Sequence, residues 1–295
     1  MEDELWRKLY PLVEAEAKRK ICRKRCQYSD ATIVRVFFWA VLHDRPVSWA
    51  CRSEHWPPTY RWMQLPSQPT MSLRLRTLSV AHLIMAVYQR LQQVPHLSRR
   101  SLPPLCRCID SKPLVVGGFS KDKDARRGYA TGGMARGYKL FTIWGKAVVP
   151  DAFALGPLNQ ADCDGAAKLV SSLQGCGYLL ADAVHDVNAL HALYSQRGFQ
   201  LVSPRHKPGT NLGHRSHAPG RLRSLEMLEG PSPFGRSLYP LRGQIERHYG
   251  QWTSFGGGLQ PLPSWVRHPR RVAQWVLGKL ILNGLRICIN HGLAA

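Results

Sequence analysis

The 295-residue sequence predicts an α/β protein in two parts: an all-helical region over residues 1–94, then a mixed sheet with flanking helices over residues 105–295. Three observations predict it. Apolar residues near period 3.6 dominate the first part, and short alternating runs begin only after residue 104. From there three strands are followed by helix and strand in alternation, the order of a mixed sheet with helices packed on it. A hydrophobic content of 44% supplies apolar surface enough to offset the ordering entropy of folding, which excludes wholesale disorder.

In the helical part, Ser29 and Asp30 can cap a run whose apolar residues (Ile33, Val34, Val36, Phe37, Phe38, Val41) suit a buried helix, stopped at Asp44-Arg45-Pro46. A short segment over 48–55 precedes the Pro57-Pro58 break. Thr70 opens one helical stretch over 70–93, with Leu73, Val80, Ile84, Val87 and Leu91 near period 3.6. Residues 95–104, PHLSRRSLPP, read as a linker. Beyond it, 105–109 form a short strand that Asp110 closes, and 138–144 and 147–155 continue a meander. Residues 164–173 read as a helix, 178–181 as a buried strand closed by Asp182, 187–197 as a helix and 199–203 as a strand. The stretch 205–223 is rich in Gly, His and basic residues without apolar period, the pattern of a loop or small insertion. Pro240 suits a first helical position before LRGQIERHYGQW. Residues 272–289 form a long apolar-faced helix.

Lys and Arg number 41 against 19 Asp and Glu, a formal charge of +22. Self-repulsion on that scale is unfavourable unless a polyanion neutralises it, so nucleic acid is the expected partner and an ordinary small-molecule enzyme is not. The most apolar window, 31–42, carries Arg35 and falls short of the roughly 20 residues a membrane span needs. No membrane partner is expected. The sequence opens Glu2-Asp3-Glu4, without the basic-then-apolar order of a secretory leader, so a cytoplasmic, nucleoid-associated location is expected. The eight cysteines include no CxxC pair, which argues against a zinc ribbon and for small buried residues in a reducing compartment.

In so basic a chain, an acidic residue at the end of a buried strand needs a reason. If the strands before Asp110 and Asp182 are neighbours, both carboxylates leave the same sheet edge and repel unless a cation neutralises them. Hard oxygen ligands favour magnesium or manganese. Glu246 is the helix candidate for a third ligand: at 100° per residue Ile245, Tyr249 and Trp252 form a packing stripe, and Arg242 and Glu246 share an adjacent face. Three carboxylates suit a pair of metal ions roughly 3.5–4 Å apart and phosphodiester cleavage. Each taken alone is equally suited to capping or surface ion pairing, and Asp186 is a rival to Asp182 that is also placed to cap a helix.

The run KRKICRKR at 18–25, with Arg23, Lys24 and Arg25, and Arg74 and Arg76 in the next helical stretch, is compatible with a helix-turn-helix-like DNA reader. A solvated basic face is the alternative. Lys121, Lys123, Arg126 and Arg127 follow the first strand, and Arg205, Lys207, Arg215, Arg221 and Arg223 precede the Glu246 helix; both groups can track phosphates beside the acidic residues. His206, His214 and His217 lack the spacing of a metal site, and Trp252 and Trp265 suit packing better than stacking on a base.

CIDSKPL around Asp110, LLADAVHD around Asp182 and YPLRGQIERHYGQW around Glu246 resemble the three acidic motifs of DDE transposases from bacterial insertion sequences. The third block matches a subclass signature of Tyr, two residues, Arg, three residues, Glu through Tyr239, Arg242 and Glu246, and the likeness also takes in residues 121–140. The resemblance implies a ribonuclease-H-like core behind a helical DNA-binding region, with Asp110, Asp182 and Glu246 as ligands of two Mg2+ (or Mn2+) and Tyr239 and Arg242 positioning DNA at the scissile phosphate. It implies cleavage at the ends of a mobile element and transfer of 3′-hydroxyls to target DNA. Double-stranded DNA is then the partner, held by a homodimer on two ends. The chain departs from the signature once: the basic residue seven positions after the Glu is here Thr253. Alternative readings are a catalytically silent derivative acting as repressor or architectural protein, and a nuclease of the same fold without strand transfer.

Overall fold

The structure is a computed structural model that describes residues 2–19, 26–96, 102–209, 212, 216–254, 258–259 and 261–294, the side chains at 253 and 254 excepted. Five helices come first: α1 (Glu2–Lys18), α2 (Asp30–Leu42), α3 (Val47–Ala50), α4 (Gln68–Arg74) and α5 (Leu78–Gln92). Ser29 caps α2 by accepting the Thr32 amide at 3.1 Å. From Ile33 to Leu42 every residue of α2 is buried, the signature of a helix at the centre of its layer. Arg35 is buried with them because Glu14 of α1 pairs with its guanidinium, which also lies over the Tyr10 ring.

The single stretch expected over 70–93 is two helices. Ser67 caps α4 and the chain turns at 75–77 before α5. The carbonyls freed by the break are caught from far along the chain: Gln274 donates to the Leu75 carbonyl at 2.7 Å and Arg270 to that of Arg76. A local periodicity cannot reveal such distant partners.

The sheet contains β1 (Cys106–Val115), β2 (Arg126–Ala130), β3 (Gly133–Trp144), β4 (Ala152–Pro157), β5 (Gly177–Leu180) and β6 (Phe199–Val202). Strand β3 runs antiparallel to β1, β2 and β4, while β1, β5 and β6 are parallel. The order β4-β3-β1-β5-β6 with only β3 reversed is the ribonuclease-H-like arrangement, and β2 adds a short hairpin to the start of β3. Strand β1 runs straight through Asp110, because its pairing with β3 continues to Val115 opposite Gly137. Its pairing with β5 ends at Cys108, and beyond Pro113 the Leu262 amide donates to the Val115 carbonyl at 2.8 Å. Arg126 and Arg127, which follow the first strand in the sequence, lie on β2.

Helices α6 (Asp162–Leu169) and α7 (Asn188–Gln196) cover one face of the sheet over Ile109, Phe141, Ile143, Leu179 and Leu201. The stretch expected as a loop before the Glu246 helix ends in α8 (Pro219–Glu229), followed by α9 (Pro233–Leu238). Helix α8 packs through the small residues Gly220 and Ser224 with Leu225, so it shows no apolar period. Helices α10 (Gly243–Ser254) and α11 (Pro269–Asn290) cover the opposite face over Cys108, Leu140, Trp144 and Leu180.

Helix α11 is long and apolar enough to cross a membrane, yet 78% of its most apolar window is buried inside the protein. It packs on α1, α2 and α5 as well as on α10 and β4, so one apolar cluster joins the helical layer to the sheet. Its buried Lys279 reaches Asp44, just past α2, at 2.6 Å. Ile281 is fully buried in this cluster. Ile281→Ala should therefore lower stability by about 2–5 kcal/mol, read as a lower denaturant midpoint with an unchanged slope.

Candidate active site

The register of two parallel strands places the first carboxylates. Cys108 pairs with Leu180, so Asp110 and Asp182, each two residues on, leave neighbouring strands at one edge and on one face. Burial pushes the Asp110 carboxyl above its ordinary range, against the Ser111 amide and Arg242, and nearby Asp182 adds to the rise. Asp182 goes the other way. Burial would raise it, but the bond from His185 Nδ1 at 2.6 Å, with the charges of His185 and Arg242, holds it below the ordinary range. His185 is itself buried and fixes the carboxylate's orientation.

Helix α10 brings the third. Ile245, Tyr249 and Trp252 are buried against the sheet, which leaves Glu246 exposed. The Tyr249 hydroxyl donates to the Asp110 carbonyl at 2.8 Å and lies 2.7 Å from Thr142 Oγ1, tying the helix to β1 and β3. Full burial, with Asp110 nearby, keeps this phenol far above its ordinary range, so it remains a neutral donor. The Cys108 thiol donates to the Leu241 carbonyl at 3.6 Å and so fixes the 3-10 turn (Tyr239–Arg242) before α10. Pro240 lies in this turn, not on the helix.

Arg242 stands among the three acids. One guanidinium nitrogen is 3.4 Å from Asp110 and 3.9 Å from Asp182, and another is 3.1 Å from Glu246. The three carboxylates outnumber the basic groups that touch them, Arg242 and His185, so the site favours a divalent cation. Tyr239 is near enough that Arg242 and both aspartates act on its half-buried phenol, whose proton burial holds more tightly than usual.

Asp186 has a different role. Its side chain is fully buried, takes two bonds from Arg221 at 2.7 Å each, accepts the His206 amide at 3.1 Å and lies 3.5 Å from His191. It ties α8 to the loop after β5 and has no solvent-facing edge.

The other basic residues divide. Lys121 and Lys123 are exposed before β2, and Arg126 and Arg127 are exposed on it, interleaved with the exposed Phe119, Tyr129 and Met134. The apolar members of this set were not singled out in the sequence, because isolated apolar residues in a basic loop show no period. Arg205 is held bidentately by Glu229, Lys207 is exposed nearby, and Arg221 is spent on Asp186. Arg74 bridges Asp30 at 2.5 Å and the Tyr28 carbonyl at 2.8 Å, while Arg76 is exposed. Arg23, Lys24, Arg25, His214 and Arg215, and the side chain of Thr253, lie outside the described residues. A second group of possible metal donors, Asp122, Asp124 and His268, is already satisfied internally. Asp122 accepts from the Tyr138 hydroxyl and from the amides of Asp124 and His268, and so pins the 121–124 loop to the start of α11.

These roles predict opposite behaviour for two neighbouring acids. Burial raises the Asp186 carboxyl, but Arg221 and the His206 amide outweigh it and hold the group below its ordinary 3.8. A depressed folded value contributes stability above the unfolded value and loses it as pH falls below. Asp186→Asn should cost about 3 kcal/mol at neutral pH, the lower end for breaking a buried pair. That gap to wild type should narrow below about pH 4, as measured by denaturation across pH. Asp182→Asn should leave the fold stable.

Residues 101–283, more than half of the chain, match the family model described as transposase DDE domain. No curated protein sequence matches the chain. Among solved structures, the chain is similar to the piggyBac transposase in its cryo-EM synaptic complex with hairpin DNA, at 9% identity and a TM-score of 0.45, over 99% of this chain and 74% of that one. The matched span contains Asp110, Asp182 and Glu246, both strands and the helix that present them, and on the evidence of that match the chain belongs to the transposase DDE domain family.

Proposed function

We propose that this transposase cuts phosphodiester bonds at the ends of a mobile DNA element and transfers the 3′-hydroxyl ends to target DNA, with Asp110, Asp182 and Glu246 as its metal ligands. One observation carries the reading: three carboxylates from two adjacent strands and a helix meet around a single guanidinium. The excess of carboxylates there fits divalent cations, and oxygen-only donors fit Mg2+ or Mn2+. Bound there as a pair, such ions supply Lewis-acid stabilisation and an activated water or 3′-hydroxyl.

The chain's own groups hold the rest. Tyr249 and His185 fix the two aspartates, so little reorganisation is needed as the ions bind. Arg242 has the planar donor fork that suits a phosphate and can turn from the carboxylates to the scissile group. Tyr239 borders the same space. The exposed Lys121, Lys123, Arg126 and Arg127 suit phosphates flanking the cut, and residues 1–94, with their basic segment, suit end recognition. A homodimer holding two ends and a nucleoid-associated location complete the reading.

The test is cleavage of a duplex carrying the sequences that flank the coding region. Asp110→Asn, Asp182→Asn and Glu246→Gln should each reduce cleavage to background while DNA binding holds or tightens. Wild-type cleavage should require Mg2+ or Mn2+ and stop with a chelator. Normal cleavage by all three variants would overturn the assignment.

Thr253 gives a second test. Seven residues beyond Glu246 on α10, it lies two turns on and near the same face. A lysine there can reach a phosphate of the bound end, so Thr253→Lys should raise cleavage or end affinity at elevated salt by at most roughly tenfold, the worth of one wet phosphate contact. A wild type that binds but never cuts, rescued by the lysine, supports the silent derivative instead.

A further inference from the structure

Helix α10 has a third face. On a 100° wheel Arg247 points away from the Ile245–Tyr249–Trp252 stripe while His248 lies beside it, about 40° from Trp252, and both border a cavity of about 240 Å3. Its walls also include His96, Lys146, Gln244, Gln251 and His291, and the Trp144 ring stacks on His248 at 3.8 Å between centroids. The His96 ring lies 6.1 Å from that of His248 and 5.1 Å from that of His291. The Lys146 carbonyl accepts the His96 amide at 2.7 Å, which holds the rim together. None of the described lining residues is acidic.

Two features point to a ligand. His248 is only 8% exposed, and its Nδ1 has no hydrogen-bond partner among the described residues, an omission that natively buried nitrogens rarely show. The cavity also gathers basic groups, with Lys146 and Arg247 beside the imidazoles; burial holds His96 below the ordinary imidazole range and His248 down at about 3, so those two rings are neutral. Lys146 and Arg247 repel a metal cation here. A compact anion with several acceptor oxygens answers the Lys146 and Arg247 cations, with no acidic group among the described lining residues to oppose it.

We propose that this cavity is an oxyanion site that takes one phosphate group. The phosphate can be a phosphodiester of bound DNA, which rests on the function proposed above, or free inorganic phosphate, which does not.

The experiment titrates inorganic phosphate into the full-length protein in a chloride buffer by calorimetry, for wild type, Lys146→Gln and His291→Gln. Both replaced side chains are exposed, so the fold should tolerate the changes. Saturable binding by wild type, weakened at least fivefold in each variant, is the expected result. DNA affinity is then measured in phosphate and in chloride at equal ionic strength. Phosphate that displaces DNA from wild type more than chloride does, with the difference lost in the variants, assigns the site to a DNA phosphodiester. Phosphate that binds without competing assigns it to the free ion. Both outcomes support the oxyanion site. No saturable binding by wild type, or equal binding by all three proteins, overturns it, whatever the fate of the cleavage assay.

Discussion

Arg242 stands where carboxylates from β1, from the loop after β5 and from α10 approach one another, and in a chain of net charge +22 this is where acidic groups are held together against their own repulsion. Much of the surrounding structure serves that meeting. Parallel pairing brings Asp110 and Asp182 to one edge; the buried stripe of α10 turns Glu246 outward; Tyr249 and the Cys108 thiol lock helix and turn to β1. Each contact is short-range and satisfied on both sides, so the acids keep their places without help from the sparse negative charge elsewhere.

The contrast between Asp182 and Asp186 shows how environment assigns roles to like residues four positions apart. Asp186 is enclosed by a bidentate arginine, an amide and an imidazole, and its charge is consumed in holding α8. Asp182 keeps one oxygen bonded to His185 and the other toward Arg242, with a third of its side chain exposed. The first is a structural ion pair and the second is open to an incoming cation.

Much of this was legible in the chain. The strand before Asp110, the strand before Asp182 and the stripe on α10 each rest on local periodicity, and their adjacency follows from ordinary sheet topology. What was hidden depends on distant partners or on small residues. The turn at 75–77 is stabilised by side chains from α11, nearly two hundred residues away. Helix α8 packs through Gly220 and Ser224, so no apolar period announced it. Strand β1 outruns its apolar segment because its pairing with β3 does not require apolar residues. Tyr249 read as packing alone, since nothing in its spacing discloses a hydroxyl aimed at the Asp110 carbonyl. The separation of Asp182 from Asp186 likewise needed Arg221, which lies in a stretch that looked like a loop.

The place of α11 has a consequence for how the protein is made. Helices α1, α2 and α5 leave the ribosome early, yet the apolar surface that covers them belongs to an element synthesised after every strand of the sheet. Domains ordinarily fold as units during synthesis, the N-terminal one first. Here α1, α2 and α5 can pack on one another first, but the face that α11 covers stays open until α11 emerges and joins both layers. The nascent chain therefore passes a long interval in which chaperones have a substrate, and a ribosome that stalls before α11 releases a fragment with neither a finished helical layer nor a braced catalytic sheet.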